Sequence, residues 1–268
     1  MEQVTICSKN DLSELGFLMR NQFSRKHFVF QQKVNGVDSF TLDKKDLPEI
    51  SGPVADWINK SFCKDKINQI LYQKYDILTE DEKFRISRTA VNRLKEENQD
   101  LVDMIRDKLL ELFEISDRVN LEGFVTFCLQ EYQAELEILI DECLDEYLAE
   151  QDYLEFLDLL SYFVEVEDCR FGNLSIVAQS DGSYRYYDEN SREITRECME
   201  EFMEEFADDE VDHDDLLVSI LIILLPERIS LFGAEHIRNK NLLKTLQIIF
   251  EKRIKLYQHA SAFTRQEL

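Results

Sequence analysis

The sequence predicts a helix-rich α+β fold, and three observations carry that expectation. Glycine and proline are scarce, with seven and three in 268 residues, which favours long helices over tight-turned sandwiches. Apolar residues recur three and four apart through most of the middle of the chain. Near each end, short β-branched or aromatic runs flank an Asn-Gly or Asp-Gly pair, the residues that tolerate the positive φ of a hairpin turn. With 44% hydrophobic and 32% charged residues, a packed core is expected and global disorder is not. The expected organisation is a small N-terminal α/β unit with a helical region (1–115), then a second region (116–268) of acidic helices and a mixed four-stranded sheet packed by helices.

The first 45 residues supply the small α/β unit. Val4 to Cys7 reads as a strand, and a helix over Asp11 to Phe23 can be capped by Asp11 or Ser13. His27 to Phe30 and Val37 to Leu42 flank Asn35-Gly36 as a hairpin. Pro48, Gly52 and Pro53 mark a boundary, after which Trp57, Ile58, Phe62, Ile67, Ile70 and Leu71 fall at helical spacing. Thr79 precedes Glu80-Asp81-Glu82, an acidic first turn, and Leu101, Ile105, Leu109, Leu112 and Phe113 continue the period to about Ser116.

Asn120 is placed to cap a regular helix whose stripe is Phe124, Phe127, Cys128, Tyr132, Leu136, Leu139, Cys143 and Tyr147. A second helix follows, with Tyr153, Phe156, Leu157, Leu160, Phe163 and Val164 inward. Acids fill the other faces and no base is present for i,i+4 pairs, so stripe packing must hold these helices. Leu174 to Ala178 and Tyr184 to Tyr187 form a hairpin around Asp181-Gly182, and Thr195 can cap a short acidic helix to Phe206. Leu216 to Leu225 is apolar on nearly every side; its length and the preceding Asp214 and Asp215 favour a buried helix, stopped by Pro226. Arg228 to Phe232, Asn241 to Phe250 and Arg253 to Tyr257 read strand, helix, strand, a crossover that sets its two strands parallel.

The charge is uneven. The net charge is −24, yet no Lys or Arg lies between Arg118 and Arg170, where fifteen acids occur, or between Arg196 and Arg228, where twelve occur. Such surfaces repel nucleic acid and anionic membranes and favour a basic protein surface, divalent cations or contact with the basic tail after Arg228, or are simply a solvated face that keeps the protein soluble. Glu142, Asp145, Glu146 and Asp152 are the candidate partner-binding residues. Membrane insertion is not expected, because the Leu216 to Leu225 run is too short to cross a bilayer. With no leader at the start, the expected location is the cytoplasm. The six cysteines, at 7, 63, 128, 143, 169 and 198, form no CxxC pair and read as reduced thiols.

Catalytic and metal signatures are weak. His213 lies in Asp212-His213-Asp214-Asp215, but the carboxylates there are better explained by the start of the following helix. His27, His236 and His259 are isolated, and no GxSxG, GxxxxGK or GxGxxG occurs. No cofactor and no catalytic residue is assigned. Tyr184, Tyr186 and Tyr187 with Arg185 could stack on bases, although a hairpin packed on helices explains them equally well.

Several second-half segments carry a resemblance. They are Val119-Asn120-Leu121-Glu122-Gly123-Phe124-Val125-Thr126-Phe127, Glu131-Tyr132, Asp145-Glu146-Tyr147-Leu148, Asp152-Tyr153, Tyr162-Phe163-Val164, Asp181-Gly182-Ser183-Tyr184-Arg185, Asp215-Leu216-Leu217 and Leu224-Leu225-Pro226-Glu227-Arg228-Ile229. In this order, over about 116–257, the chain resembles the YtxC-like family of sporulation proteins. That resemblance implies a cytoplasmic role in spore formation and no enzyme activity, ligand or catalytic residue. Where the family often carries a cysteine-bearing motif after the last strand, this chain has Gln258-His259.

The functional expectation is therefore a non-enzymatic interaction or scaffold protein whose acidic helices meet a basic partner. The alternatives are an enzyme or small-ligand protein with an unrecognised site in the C-terminal half, and an acidic nucleic-acid mimic.

Overall fold

A computed structural model describes residues 2–23, 28–34, 36–96, 99–205 and 212–264. His27, Asn35, Phe206 and the acidic stretch 207–211 lie outside the described residues. The fold is α+β and helix-rich, with two mixed four-stranded sheets. Two compact units divide at 148/149.

The first unit opens with β1 (Gln3–Ser8), α1 (Ser13–Gln22), β2 (Phe28–Val34) and β3 (Val37–Asp43). Three helices follow, α2 (Leu47–Lys74), α3 (Glu80–Glu96) and α4 (Gln99–Ile115), then β4 (Arg118–Asn120), α5 (Leu121–Phe127) and α6 (Gln130–Val166). The sheet order is β2-β3-β1-β4, antiparallel except for β4, which runs parallel to β1. Alternation sends Val4 and Ile6 opposite Leu42 and Phe40 into the core, while the Thr5 and Thr41 hydroxyls bond at 3.0 Å on the other face. Gly36, at φ 80°, turns the hairpin. Neither expected residue caps α1 in the usual way: Asp38 accepts the Leu12 N–H at 2.9 Å, and Asp11 accepts the Ser13 N–H at 2.8 Å.

Two differences from expectation have clear causes. The proline-rich boundary is a helix start: Pro48 occupies the first turn of α2, and the helix continues through Pro53. Ile50, Val54, Trp57 and Ile58 are all buried across that point, and their burial outweighs one lost backbone hydrogen bond. The expected division at 115/116 does not coincide with the compact units, because β4 pairs with β1, and α5 and the start of α6 fill the first core. Thr79 and Glu82 form a capping box for α3, with the Thr79 N–H donating to Glu82 Oε2 at 2.7 Å and the Glu82 N–H to Thr79 Oγ1 at 3.4 Å. Asn120 caps α5, accepting the Gly123 N–H at 2.8 Å. The chain then breaks at Cys128 and Leu129, and α6 runs for 37 residues where two helices were expected.

The second unit continues from α6 with β5 (Phe171–Ala178), β6 (Tyr184–Tyr187), α7 (Thr195–Glu205) and α8 (His213–Leu224). It ends with β7 (Pro226–Phe232), α9 (Lys240–Phe250), β8 (Ile254–Tyr257) and α10 (Ser261–Thr264). The sheet order is β6-β5-β7-β8, with the hairpin pair antiparallel and β5, β7 and β8 parallel. One sheet face, with Leu174, Ile176, Tyr184, Tyr186, Ile229 and Leu231, shares a core with Leu217 and Leu221 of α8 and Leu246 and Ile249 of α9. On the other face Phe232 stacks on Tyr257 at 4.5 Å, and Phe263 packs on Phe232 and Tyr187. Gly233, at φ 78°, is required there, since a Cβ would sit 2.8 Å from the Ala178 carbonyl oxygen.

Candidate functional site

The acid-rich region is α6, and its two stretches meet different neighbours. Over residues 130–148 the apolar side is buried: Tyr132, Leu136, Ile140 and Cys143 belong to the first core, and the Tyr132 hydroxyl donates to the buried Asn59 Oδ1 at 2.8 Å. Three of its acids pair with bases on α2 and α3. Lys74 pairs with Glu137 at 2.5 Å, and the Tyr75 hydroxyl donates to Asp141 at 2.5 Å. Burial first, then that bond, pushes the Tyr75 hydroxyl well above its ordinary pKa. Arg93 reaches both oxygens of Glu146, at 2.6 and 2.8 Å, and Glu142 at 3.4 Å. The bond to Glu146 is the main reason its guanidinium is raised further.

Two of the four candidate partner-binding residues, Glu142 and Glu146, are thus held by Arg93. Asp145 and Asp152 are exposed and pair with no base among the described residues. The sequence located the acids but not their shared cation, Arg93, which lies 49 and 53 residues before them on another helix.

Over residues 149–166, Leu157 and Val164 enter the second core, and the Tyr153 hydroxyl bonds Thr245 Oγ1 at 2.7 Å. Phe156, Leu159, Tyr162, Phe163 and Val166 are exposed, Leu159 at 68% and Tyr162 at 65%. Of the expected inward residues, Tyr153, Phe156 and Phe163 therefore face solvent. The apolar content of this stretch exceeds what one stripe can bury, so a second stripe remains outside. At 100° per residue the five exposed side chains share one face, with Asp152 and Glu155 on it. Glu150, Asp152, Glu155, Asp158 and Glu165 have no lysine or arginine partner among the described residues. The surface is an aromatic strip set in uncompensated carboxylates.

The remaining sequence candidates have structural roles. Asp212, not Asp214 or Asp215, caps α8, accepting the Asp214 N–H at 3.2 Å, while Asp214 accepts the Tyr184 hydroxyl at 2.5 Å. Tyr184 and Tyr186 are core residues, and Tyr187 packs on Phe263. Thr195 begins α7, and its hydroxyl accepts the Tyr186 N–H at 3.0 Å. His259 meets Glu235 at 2.8 Å. Among the described residues all six cysteines are free thiols, no group of three or more His, Cys, Asp or Glu is placed to hold a metal, and no helix is long and apolar enough to cross a membrane.

Fold and surface chemistry together define a helix-rich α+β protein with two mixed sheets and one long acid-rich helix. The chain belongs to the YtxC-like family, whose model matches residues 48–255. The matched span begins in α2, so the family's shared part includes α2 to α5 of the first unit, but not α1, as well as the second-half segments that carry the resemblance. Neither the curated proteins nor the solved structures contain a match to the chain.

Proposed function

We propose that the protein acts by contact with another protein, and that the face of α6 over residues 149–166 is the docking surface. The observation that carries this reading is five large apolar side chains exposed together in a segment without a single lysine or arginine. Aromatic anchors ringed by charge are the usual anatomy of a binding patch. The charge argues for the occupant. A second copy docking through the same face would oppose acid to acid, whereas a basic partner with an apolar centre would match both features.

In this reading Phe156, Leu159 and Tyr162 fill pockets on the partner, and Asp152 and Glu155 meet its bases. Asp145, in the first unit, is exposed and pairs with no base among the described residues, so it is free to meet a basic partner. Glu142 and Glu146, already held by Arg93, contribute less. The role in spore formation that the family resemblance implies belongs to the same proposal.

The test is affinity capture of the tagged protein from its own cells at low and high salt, wild type beside Asp152→Asn/Glu155→Gln and Phe156→Ser/Leu159→Ser. A basic protein held by wild type, lost from the apolar double variant and weakened and less salt-sensitive with the neutralised one, is the expected result. Equal capture by all three would overturn the proposal.

A further inference from the structure

A cavity of about 490 Å³ lies in the first unit between α2 and α3, and its chemistry is opposite to that of the chain as a whole. The two helices form an antiparallel hairpin, fixed by the Ser87 hydroxyl donating to Asn68 Oδ1 at 2.7 Å and by the Tyr72 hydroxyl donating to Glu80. Lys64, Asn68 and Tyr72 repeat every four residues along α2 and so line one face. Lys83, Ser87, Arg88 and Lys95 face them from α3, with Phe84 at the rim.

Four cations and one acid line this cavity, in a protein with 24 more acids than bases. The acid, Glu80, is already engaged by Tyr72. Lys64, Arg88 and Lys95 form no ion pair among the described residues, although carboxylates outnumber bases elsewhere.

Lys83 is the strongest sign. Only 9% of its side chain is exposed. A buried ammonium is costly unless its three donors are met. Here its neighbours are the Tyr72 ring, 4.8 Å from the ring centre, and a Glu80 oxygen at 3.9 Å, beyond hydrogen-bond range. The bond from Ser87 occupies the Asn68 carbonyl and leaves its NH₂ as a further donor. The cavity is therefore lined by four cations that share one carboxylate, with an aromatic side chain at its edge.

We infer that this groove binds a phosphate-bearing small molecule of nucleotide size. The phosphates would take the donors of Lys83, Arg88, Lys95 and Asn68, and a flat or apolar portion would lie against Phe84 and Val91. The volume is within the range of small-molecule pockets. Phosphate oxygens are the acceptors that clustered lysine and arginine donors best satisfy.

The experiment is isothermal titration of the full chain at low salt with pyrophosphate, ADP and uncharged adenosine. Pyrophosphate and ADP should bind with a Kd below about 1 mM and adenosine should not. Tighter binding of ADP than of pyrophosphate would assign the ring to Phe84; equal binding would assign the site to the phosphates alone. Arg88→Ala and Lys95→Ala remove exposed side chains and leave the fold intact, and each should weaken binding about tenfold. Lys83→Met should weaken it further, provided its melting transition is kept. No binding of either phosphate compound, or binding unchanged in the Arg88→Ala/Lys95→Ala variant, would overturn the inference.

Discussion

Residues 130–148 and 149–166 belong to one helix, and neither stretch contains a lysine or arginine, yet they meet their surroundings in different ways. In the first, the apolar stripe is buried and Glu137, Asp141, Glu142 and Glu146 are matched by Lys74, Tyr75 and Arg93. In the second, only Leu157 and Val164 are buried, seven large apolar side chains remain outside, five of them on one face, and the acids are unmatched among the described residues. Composition is therefore a poor guide to which acids are available for contact. What separates the two stretches is the set of cations that neighbouring helices carry, which no local pattern on α6 records.

The largest expected effect is on the exposed face. Phe156→Ser with Leu159→Ser should lower partner capture by about a hundredfold or more, since two anchor residues are removed. The melting midpoint should stay within a few degrees of wild type, as measured by circular dichroism. A large drop in melting temperature would mean that these side chains are packed, and the contrast would fail.

A matched pair of substitutions sharpens the comparison through stability. Leu136→Ala, at a fully buried position, should cost about 2–5 kcal/mol in urea denaturation. Leu159→Ala should stay within about 0.5 kcal/mol. Tyr132→Phe should cost about 1–3 kcal/mol, because the Asn59 oxygen it serves is buried and would lose its donor.

Electrostatic contrasts are smaller. Arg93→Ala should cost about 0.2–1 kcal/mol, less at high salt, since the pair it breaks is partly exposed. Glu122 offers a pH test in the first unit. Burial pushes its carboxyl up, but bonds from the Ser8 hydroxyl and the Lys9 and Asn10 amides together hold it below its ordinary 4.5. Its contribution is then complete above about pH 4.5 and is lost as pH falls through the lower folded value. The stability gap between wild type and Glu122→Gln should accordingly narrow on acidification in denaturation curves.

Much of the fold was legible because local chemistry dictated it. Asp181-Gly182 fixed one hairpin, Thr79 with Glu82 fixed a helix start, and the β7-α9-β8 order fixed a parallel pair. Strand β4 was not legible, since three residues pairing with a strand 113 positions earlier leave no period of their own. The break at Cys128 and the fusion of two expected helices into α6 were also hidden, because neither glycine nor proline marks them. For the proposed docking surface, the acids were readable in the sequence, but helical spacing turned Tyr153, Phe156 and Phe163 inward, because it cannot tell which of two apolar stripes a helix buries. The basic groove left a readable trace in the spacing of Lys64, Asn68 and Tyr72, but its significance needs α3 opposite.

The most direct measurement places a photo-crosslinking amino acid at position 159, or at position 138 in the first stretch, and irradiates the cells. Ile138 is also exposed, so the two positions differ in their surroundings and not in access. The account predicts a basic protein crosslinked from 159 and absent from 138. No product from 159, or the same products from both positions, would contradict it.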